Sequence, residues 1–270
     1  MFPKLFDLGP IGVYTYGVLL AAAYLVALQV GMMRARARGL DANRVMDLGI
    51  YCIISALVGA KLLLIIVDFE HYREDPAHLL TIIRSGGVYY GGFVLAVIVA
   101  FWFIRRHGLP LWQTCDAFAP GIVLAQAVGR MGCLMAGCCY GRPTELPWGI
   151  TFTNTLAAAN SGTPLGVPLH PTQLYEAAAA LVILGILLMG ERYGRAFAGR
   201  TFWTYLLLYP AARFLIEFYR GDPRGTVLDF VSTSQFISLL LIPTSIVMLV
   251  VLSRSHTPEP TRTSARARAA

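Results

Sequence analysis

Seven long apolar runs follow one another along the chain, separated by short polar segments. They cover residues 11–33, 46–67, 88–104, 114–135, 172–190, 201–218 and 234–252. Each run is about long enough to cross a hydrocarbon core of about 30 Å as an α-helix. Strands of a membrane barrel would instead alternate apolar and polar residues over about ten positions. The pattern therefore predicts an all-α membrane protein of about seven transmembrane helices.

Composition agrees with this prediction, because 56% of the 270 residues are apolar and only 14% are charged. Soluble domains usually carry about 25% charged residues. We predict one transmembrane domain over residues 1–253, with small extracytoplasmic cap segments at 68–85 and 138–171. Residues 254–270 are rich in Thr, Pro, Ser, Ala and Arg and predict a short disordered cytoplasmic tail.

The distribution of basic residues predicts the orientation. With the amino terminus outside, 13 of the 22 Lys and Arg residues fall on the cytoplasmic side and six on the outer side. Such an excess of cytoplasmic charge favours an outer amino terminus and a cytoplasmic carboxyl terminus. The net charge of +7 then reflects orientation and attraction to anionic membrane lipids, and requires no nucleic-acid partner. The cytoplasmic set is Arg34, Arg36, Arg38, Arg44, Arg105, Arg106, Arg192, Arg195, Arg200, Arg254, Arg262, Arg266 and Arg268.

Four segments place polar residues where the membrane disfavours them. A charged side chain inside the bilayer costs at least a few kcal/mol, so it normally faces the bundle interior or a wet cavity. Segments 85–93, 129–142, 170–176 and 213–220 all lie towards the outer half under the predicted orientation. They indicate a site that opens towards the extracytoplasmic side.

Each segment has a functional and a structural interpretation. Glycine pairs flank Tyr89 and Tyr90. They permit an irregular helix start whose backbone can be approached closely, as in a binding site, or a helix-packing motif of small residues. Arg130 follows a mostly apolar run and suits a phospholipid phosphate, although it could also snorkel to the interface. The glycines around Arg130 favour the site.

The other two segments lie at the ends of predicted helices. Between His170 and Glu176, a proline and a threonine mark a helix start, with Gln173 and Glu176 on one face and Tyr175 extending the polar patch. Arg213 and Glu217 are four residues apart and predict an ion pair, and Glu217 and Arg220 are three apart. A capped helix end and an internal ion pair are the structural alternatives.

The five cysteines do not predict a metal site. Cys133, Cys138 and Cys139 lack the C-x2-C pairs of common zinc sites, and no histidine pair completes them. A Cys133–Cys138 disulfide remains an alternative, because this segment is predicted to face the oxidising side. Cys52 lies within an apolar helix, so we expect its side chain to serve packing.

Eight short motifs, in order, carry a resemblance to a known family. They lie at residues 14–17 (Tyr-Thr-Tyr-Gly), 59–61 (Gly-Ala-Lys), 86–92, 116–120 (Asp-Ala-Phe-Ala-Pro), 129–130 (Gly-Arg), 140–142 (Tyr-Gly-Arg), 170–176 and 213–220. With these motifs the chain resembles the prolipoprotein diacylglyceryl transferases of the bacterial inner membrane. The resemblance covers most of the chain.

The resemblance implies a function and a set of partners. Members of this family transfer the diacylglyceryl group of phosphatidylglycerol to the thiol of the lipobox cysteine of prolipoproteins and release glycerol phosphate. This is the first step of lipoprotein maturation. Their fold is a seven-helix bundle whose site opens to the outer face and the bilayer. No cofactor is implied.

Site residues are carried over position by position. Arg130 is expected to hold the phospholipid phosphate, and Arg213, Glu217 and Tyr90 to complete the catalytic set. The expected substrate-binding residues are Tyr16, Gly91, Gly92, Cys133, Gly141, His170, Gln173, Tyr175, Glu176 and Arg220.

The chain departs from the family pattern inside the expected site. Tyr90 stands where the family has histidine, Cys133 where it has asparagine, Cys138 where glutamate is frequent, and Lys61 where it has arginine. Tyrosine is a poor base at neutral pH, so Glu217, His170 or solvent are alternative acceptors for the thiol proton.

Two other functions are consistent with these features. The first is a diverged paralogue that binds phospholipid but uses a different acceptor, which the missing histidine and the cysteine cluster favour. The second is a lipid-binding protein or transporter without catalysis. The joint presence of Arg130, Arg213, Glu217 and segment 170–176 argues against this second function.

Overall fold

A computed structural model describes residues 1–9, 11–69, 73, 87–193, 197–222, 226–227 and 231–255. In this part of the chain there are eight helices and three two-stranded antiparallel sheets. The helices are α1 (Thr15–Ala37), α2 (Ala42–Val67), α3 (Tyr89–Arg106), α4 (Leu111–Ala136), α5 (Thr155–Ser161), α6 (Thr172–Tyr193), α7 (Arg200–Glu217) and α8 (Thr233–Arg254). The sheets pair β1 (Lys4–Leu8) with β2 (Ile11–Tyr14), β3 (Ile150–Thr151) with β4 (Pro168–Leu169), and β5 (Thr226–Val227) with β6 (Val231–Ser232).

The predicted helical class is confirmed, with six helices among the described residues that are long and apolar enough to span a membrane: α1, α2, α3, α4, α6 and α8. The seventh predicted span, α7, has 18 residues but carries Arg200, Arg213 and Glu217, and it does not belong to this set. Two of these charged residues, Arg213 and Glu217, belong to the expected site. Most of the predicted outer segment 68–85 and all of the tail beyond residue 255 lie outside the described residues.

The chain divides into two compact units, one comprising Met1–Gly31 with Cys115–Ala270, and the other Met32–Thr114. In the first unit, α4, α6 and α7 share a small apolar core that includes Val123, Ile183 and Tyr205. The amide Nε2 of Gln126 on α4 donates to the hydroxyl of Tyr205 at 3.0 Å, which links α4 to α7 beside this core.

Asp116, a buried carboxylate on α4, fixes the start of α7. Its two oxygens accept hydrogen bonds from the backbone N–H groups of Gly199 at 2.7 Å and Phe202 at 2.8 Å. The first turn of a helix leaves N–H groups without intrahelical partners, and a carboxylate there also interacts favourably with the helix dipole. A side chain of α4 therefore sets the position of α7, the helix that carries Arg213 and Glu217.

The second unit is built on a close contact between α2 and α3. A Cβ added to Gly59 would collide with the backbone oxygen of Gly91, and one added to Gly91 would collide with that of Gly59. A Cβ added to Gly92 would likewise lie 2.5 Å from the backbone oxygen of Ala56. Helices in membranes approach closely through such small residues. The glycines beside Tyr90 therefore let α2 and α3 pack closely, as expected for a packing motif of small residues.

Candidate functional site

Glu176, in the second turn of α6, is an acceptor shared by three arginines. Its Oε2 lies 2.6 Å from Nη2 of Arg130, on the last turns of α4. Its Oε1 lies 2.9 Å from Nη1 of Arg220 and 3.8 Å from Nη1 of Arg213. The carboxylate is only 2% exposed, so these contacts form away from bulk water, where electrostatic attraction is strong. The Arg130 contact is an ion pair without the alignment of a hydrogen bond.

Arg213 and Glu217 form the predicted pair on α7, with Nη1 and Oε2 2.5 Å apart. Both side chains are buried. Among the described residues, Nη2 of Arg213 has no hydrogen-bond partner. A buried donor without a partner is costly, and in native proteins it usually marks a place where a ligand or water binds. Arg213 therefore has a donor available for an anion.

Arg220 lies just beyond the end of α7 and is held by a second acid. Its Nε and Nη2 each donate to a carboxylate oxygen of Asp222 at 2.8 Å, in a two-pronged arrangement. Its Nη1 donates to Glu176 at 2.9 Å. All three of these nitrogens are thus engaged, which fixes the plane of the guanidinium.

The three arginines differ in accessibility. The side chain of Arg130 is 22% exposed, against 8% for Arg213 and 3% for Arg220. The cluster joins three guanidinium groups to three carboxylates, those of Glu176, Glu217 and Asp222, in one buried network. Arg130 is consequently the most accessible guanidinium of the cluster, and Glu176 connects it to the other two.

A backbone junction brings Arg220 next to the start of α6. The N–H of Gly141 donates to the carbonyl of His170 at 3.1 Å, the N–H of Arg142 donates to Tyr219 at 2.9 Å, and that of Gly221 donates to Tyr140 at 3.1 Å. A Cβ at Gly141 would lie 2.5 Å from the Cβ of His170 and 2.8 Å from the carbonyl oxygen of Tyr219. Gly141 therefore permits three chain segments to meet, and in the structure it serves this packing.

Aromatic side chains surround His170 beside this junction. Its Nδ1 lies 3.2 Å from the hydroxyl of Tyr175, which also accepts a hydrogen bond from Nε1 of Trp148 at 2.9 Å. The ring of His170 packs edge-on against Tyr219, with centroids 5.2 Å apart. The histidine and Tyr175 thus form one polar-aromatic group at the start of α6.

Gln173 and its neighbour Thr172 hold the turn that follows α4. Nε2 of Gln173 donates to the carbonyl of Cys138 at 2.8 Å, and the hydroxyl of Thr172 donates to that of Cys139 at 2.7 Å. Both donor side chains are fully buried. Gln173 is therefore a positioning residue for the cysteine turn in this structure.

The three cysteines of this turn lie together. The sulfur atoms of Cys133, Cys138 and Cys139 are all within 4.8 Å of one another, and each is a reduced thiol. Hydrogen bonds from Cys133 and Cys138, together with the positive charge of Arg220, hold the pKa of Cys139 below its usual range. Hydrogen bonding to Cys133 and Cys139, together with burial, raises the pKa of Cys138. The disulfide alternative is not the state of these residues in the structure.

The remaining predicted residues belong to two places. Tyr16, on α1, lies against α4, where its Cδ2 would be 3.3 Å from a Cβ at Gly132. Tyr90, half exposed at the start of α3, belongs to the second unit together with Gly91, Gly92 and Lys61. Its ring contacts that of Tyr89 edge-on, with centroids 5.7 Å apart.

Sequence reasoning missed how two acids, Glu176 and Asp222, take part in the cluster. Glu176 was expected to bind substrate, but its partnership with three arginines follows from the meeting of α4, α6 and α7, which no local spacing predicts. Asp222 was not singled out. Its position two residues after Arg220 was the available signal, because an acid so close in the chain can form an ion pair with the arginine beyond the helix end.

Fold and site together define a class of protein: a multi-pass helical membrane protein with a buried arginine–carboxylate network at helix ends. Comparison with known proteins gives the family. The family model described as prolipoprotein diacylglyceryl transferase matches residues 3–251. The chain therefore belongs to the prolipoprotein diacylglyceryl transferase family.

Curated relatives agree with this membership over nearly their whole length. The chain is 37% identical to the phosphatidylglycerol–prolipoprotein diacylglyceryl transferase of Clostridium tetani, over 90% of this chain and 94% of that protein. It is 33% identical to the phosphatidylglycerol–prolipoprotein diacylglyceryl transferase 2 of Clostridium perfringens, over 85% and 87% respectively. The corresponding transferase of Corynebacterium diphtheriae is 29% identical, over 92% of both.

Proposed function

We propose that this protein transfers the diacylglyceryl group of phosphatidylglycerol to the lipobox cysteine thiol of prolipoproteins. The observation that carries the proposal is the convergence of Arg130, Arg213 and Arg220 on Glu176. A phospholipid phosphate is an anion that guanidinium groups bind well, and buried ion pairs hold these groups in place beforehand.

The proposal includes a topology of seven spans. The last turns of α4, the first turns of α6 and the end of α7 meet at Glu176. Because α6 begins where α7 ends, α7 runs antiparallel to α6 and crosses the same layer, despite its charges. One transmembrane domain over residues 1–253 then has an outer amino terminus, a cytoplasmic tail and a site facing the extracytoplasmic side of the bacterial inner membrane. The excess of cytoplasmic arginine supports this orientation.

In the proposed reaction, the thiolate sulfur of the acceptor attacks the glyceryl carbon that bears the phosphate. A C–S bond forms, the C–O bond to the phosphate breaks, and the electron pair leaves with glycerol phosphate. Negative charge grows on that leaving group in the transition state. Arg130, with Arg213 behind it, stabilises this charge, which is the largest contribution such a site can make.

The thiol must lose its proton before it attacks, because the thiolate is the nucleophile. From the sequence, Tyr90, Glu217, His170 and solvent are the candidate acceptors. Glu217 is engaged by Arg213, and His170 by the hydroxyl of Tyr175. The ion pair disfavours Glu217 as a base, whereas a hydrogen bond at one ring nitrogen orients His170 and leaves it a candidate. Tyr90 stays in the proposed catalytic set as the residue at the family's histidine position.

Complementation and a reconstituted assay test the proposal. The chain should restore growth to a strain depleted of its own transferase. In purified membranes it should move label from phosphatidylglycerol to a lipobox peptide and release glycerol phosphate, while a peptide with serine in place of the lipobox cysteine stays unlabelled.

Failure to label the cysteine peptide, with folded protein and a working relative assayed in parallel, would refute the proposal. Release of glycerol phosphate that needs a different thiol compound would instead identify the diverged paralogue. Saturable phosphatidylglycerol binding without release would identify a lipid-binding protein.

A further inference from the structure

Three thiols meet in the turn after α4. Cys133 lies in the last turn of the helix, and the chain folds back so that the N–H of Cys138 donates to the carbonyl of Cys133 at 3.1 Å. The sulfur atoms of Cys133, Cys138 and Cys139 lie within 4.8 Å of one another. Sequence spacing argued against a metal site here, because it lacks a C-x2-C pair. The fold supplies the proximity that the spacing does not.

The turn is held in an unusual conformation. Cys139 has a φ of 61°, the one positive φ outside glycine among the described residues. A residue with a Cβ is strained there, and such strain persists only where surrounding contacts enforce it. The buried side chains of Thr172 and Gln173 provide those contacts through the carbonyls of Cys139 and Cys138. The three sulfurs are thus placed by a second helix and not by the turn alone.

The chemistry of the cluster matches a thiophilic divalent ion. Zinc binds thiolate sulfur at about 2.3 Å, which separates the sulfurs of a tetrahedral site by about 3.8 Å. Sulfurs already within 4.8 Å reach this separation by small side-chain rotations. Three thiolates around a divalent ion carry a net charge of −1, and the positive charges of Arg220 and Arg130 act on Cys139 and Cys133 respectively. The arginines therefore stabilise the complex.

We propose that Cys133, Cys138 and Cys139 bind one zinc ion through their thiolates, and that the open fourth position takes the thiol of the acceptor cysteine. Zinc sites with three protein ligands leave a position for a reacting group, and a coordinated thiol is deprotonated. The ion-binding part stands alone, whereas the role at the fourth position rests on the proposed transferase function.

The proposed step balances without a redox partner. The acceptor thiol binds as thiolate and its proton passes to solvent. The sulfur then forms its bond to the glyceryl carbon, and the C–O electron pair leaves with glycerol phosphate beside Arg130. The thioether product is neutral and a weaker ligand than the thiolate, so it leaves the ion. This supplies the deprotonation for which Glu217, paired with Arg213, is poorly suited.

Metal content and thiol protection test the ion-binding part. The reduced wild-type protein in detergent should retain one zinc per chain after gel filtration, and so should the matched control Cys52→Ser, whose cysteine lies on α2. Cys133→Ser, Cys138→Ser and Cys139→Ser should each bind zinc at least tenfold more weakly. A second test uses the wild type, so no folding defect of a variant can affect it. Zinc should protect the thiols of Cys133, Cys138 and Cys139 from alkylation but not that of Cys52.

Absence of retained zinc, or equal alkylation of the three thiols with and without zinc, would overturn the site. So would a disulfide among them in protein alkylated before cell lysis. For the fourth position, cobalt-loaded protein should change its visible spectrum with the lipobox peptide and not with its serine analogue.

Activity separates the two proposals. Full transfer by metal-free protein would overturn the role of the ion and leave the transferase function standing. Absence of transfer by protein that binds zinc and shows the cobalt change would refute the transferase function and leave the metal site standing.

Discussion

Arg130 and Glu176 lie on different helices, 46 positions apart in the chain, yet Nη2 of the arginine is 2.6 Å from Oε2 of the carboxylate. The carboxylate is nearly fully buried and the arginine keeps some exposure. The buried carboxylate of Glu176 thus orients the more accessible guanidinium of Arg130.

Arg130→Lys keeps the charge but removes the planar fork that binds phosphate through two nitrogens. We expect the rate of diacylglyceryl transfer to fall by about 100-fold, the loss typical of removing one group that stabilises transition-state charge. The measurement is kcat with labelled phosphatidylglycerol and lipobox peptide. Arg106→Lys, at the end of α3, is the matched control and should keep wild-type rates. Equal rates for the two variants would remove Arg130 from its proposed role.

Glu176→Gln keeps the shape of the side chain but leaves the guanidinium groups around it without their common anion. Removing one partner of a buried ion pair costs about 3–5 kcal/mol. We expect a loss of that size in the free energy of unfolding, measured by denaturant titration in mixed micelles. Glu145→Gln, on an exposed residue of the cap, should change it by less than about 0.5 kcal/mol. A stable Glu176→Gln variant would show that the network is not what holds these helix ends together.

Gly141→Ala places a Cβ against the backbone of His170 and Tyr219. The junction must then open, and overpacking of this kind costs about 1–3 kcal/mol. We expect a lower melting temperature and weakened transfer, since Arg220 follows Tyr219 directly. Gly185→Ala, inside α6 with no atom within 4 Å of the added Cβ, is the control and should be neutral or stabilising. Equal melting temperatures for the two variants would contradict the packing described for Gly141.

Asp222→Asn removes the charge that holds Arg220 in its plane. We expect transfer to fall about tenfold through misorientation of Arg220, an effect in the range of pairwise coupling energies. The Arg220→Lys variant should fall at least as far, and the double variant no further than Arg220→Lys alone. A double-mutant cycle on kcat/KM measures this. Additive losses would show that the two residues act independently.

The sequence by itself determined the class of protein, six of the membrane-spanning helices and the family. Apolar runs of about 20 residues have few alternatives to membrane helices, because the bilayer satisfies no backbone polar group. Local spacing also predicted the Arg213–Glu217 pair, since residues four apart share a helix face.

Only the tertiary structure decided how the polar segments meet. Glu176 joins Arg130, Arg213 and Arg220 because the ends of three helices converge, and contacts between distant segments leave no period in the sequence. The same holds for Gly91, whose neighbour across the helix contact is Gly59. For the three cysteines, spacing alone argued against a common site. A turn held by Thr172 and Gln173 from another helix brings their sulfurs together, and that contact depends on packing, which the order of residues does not express.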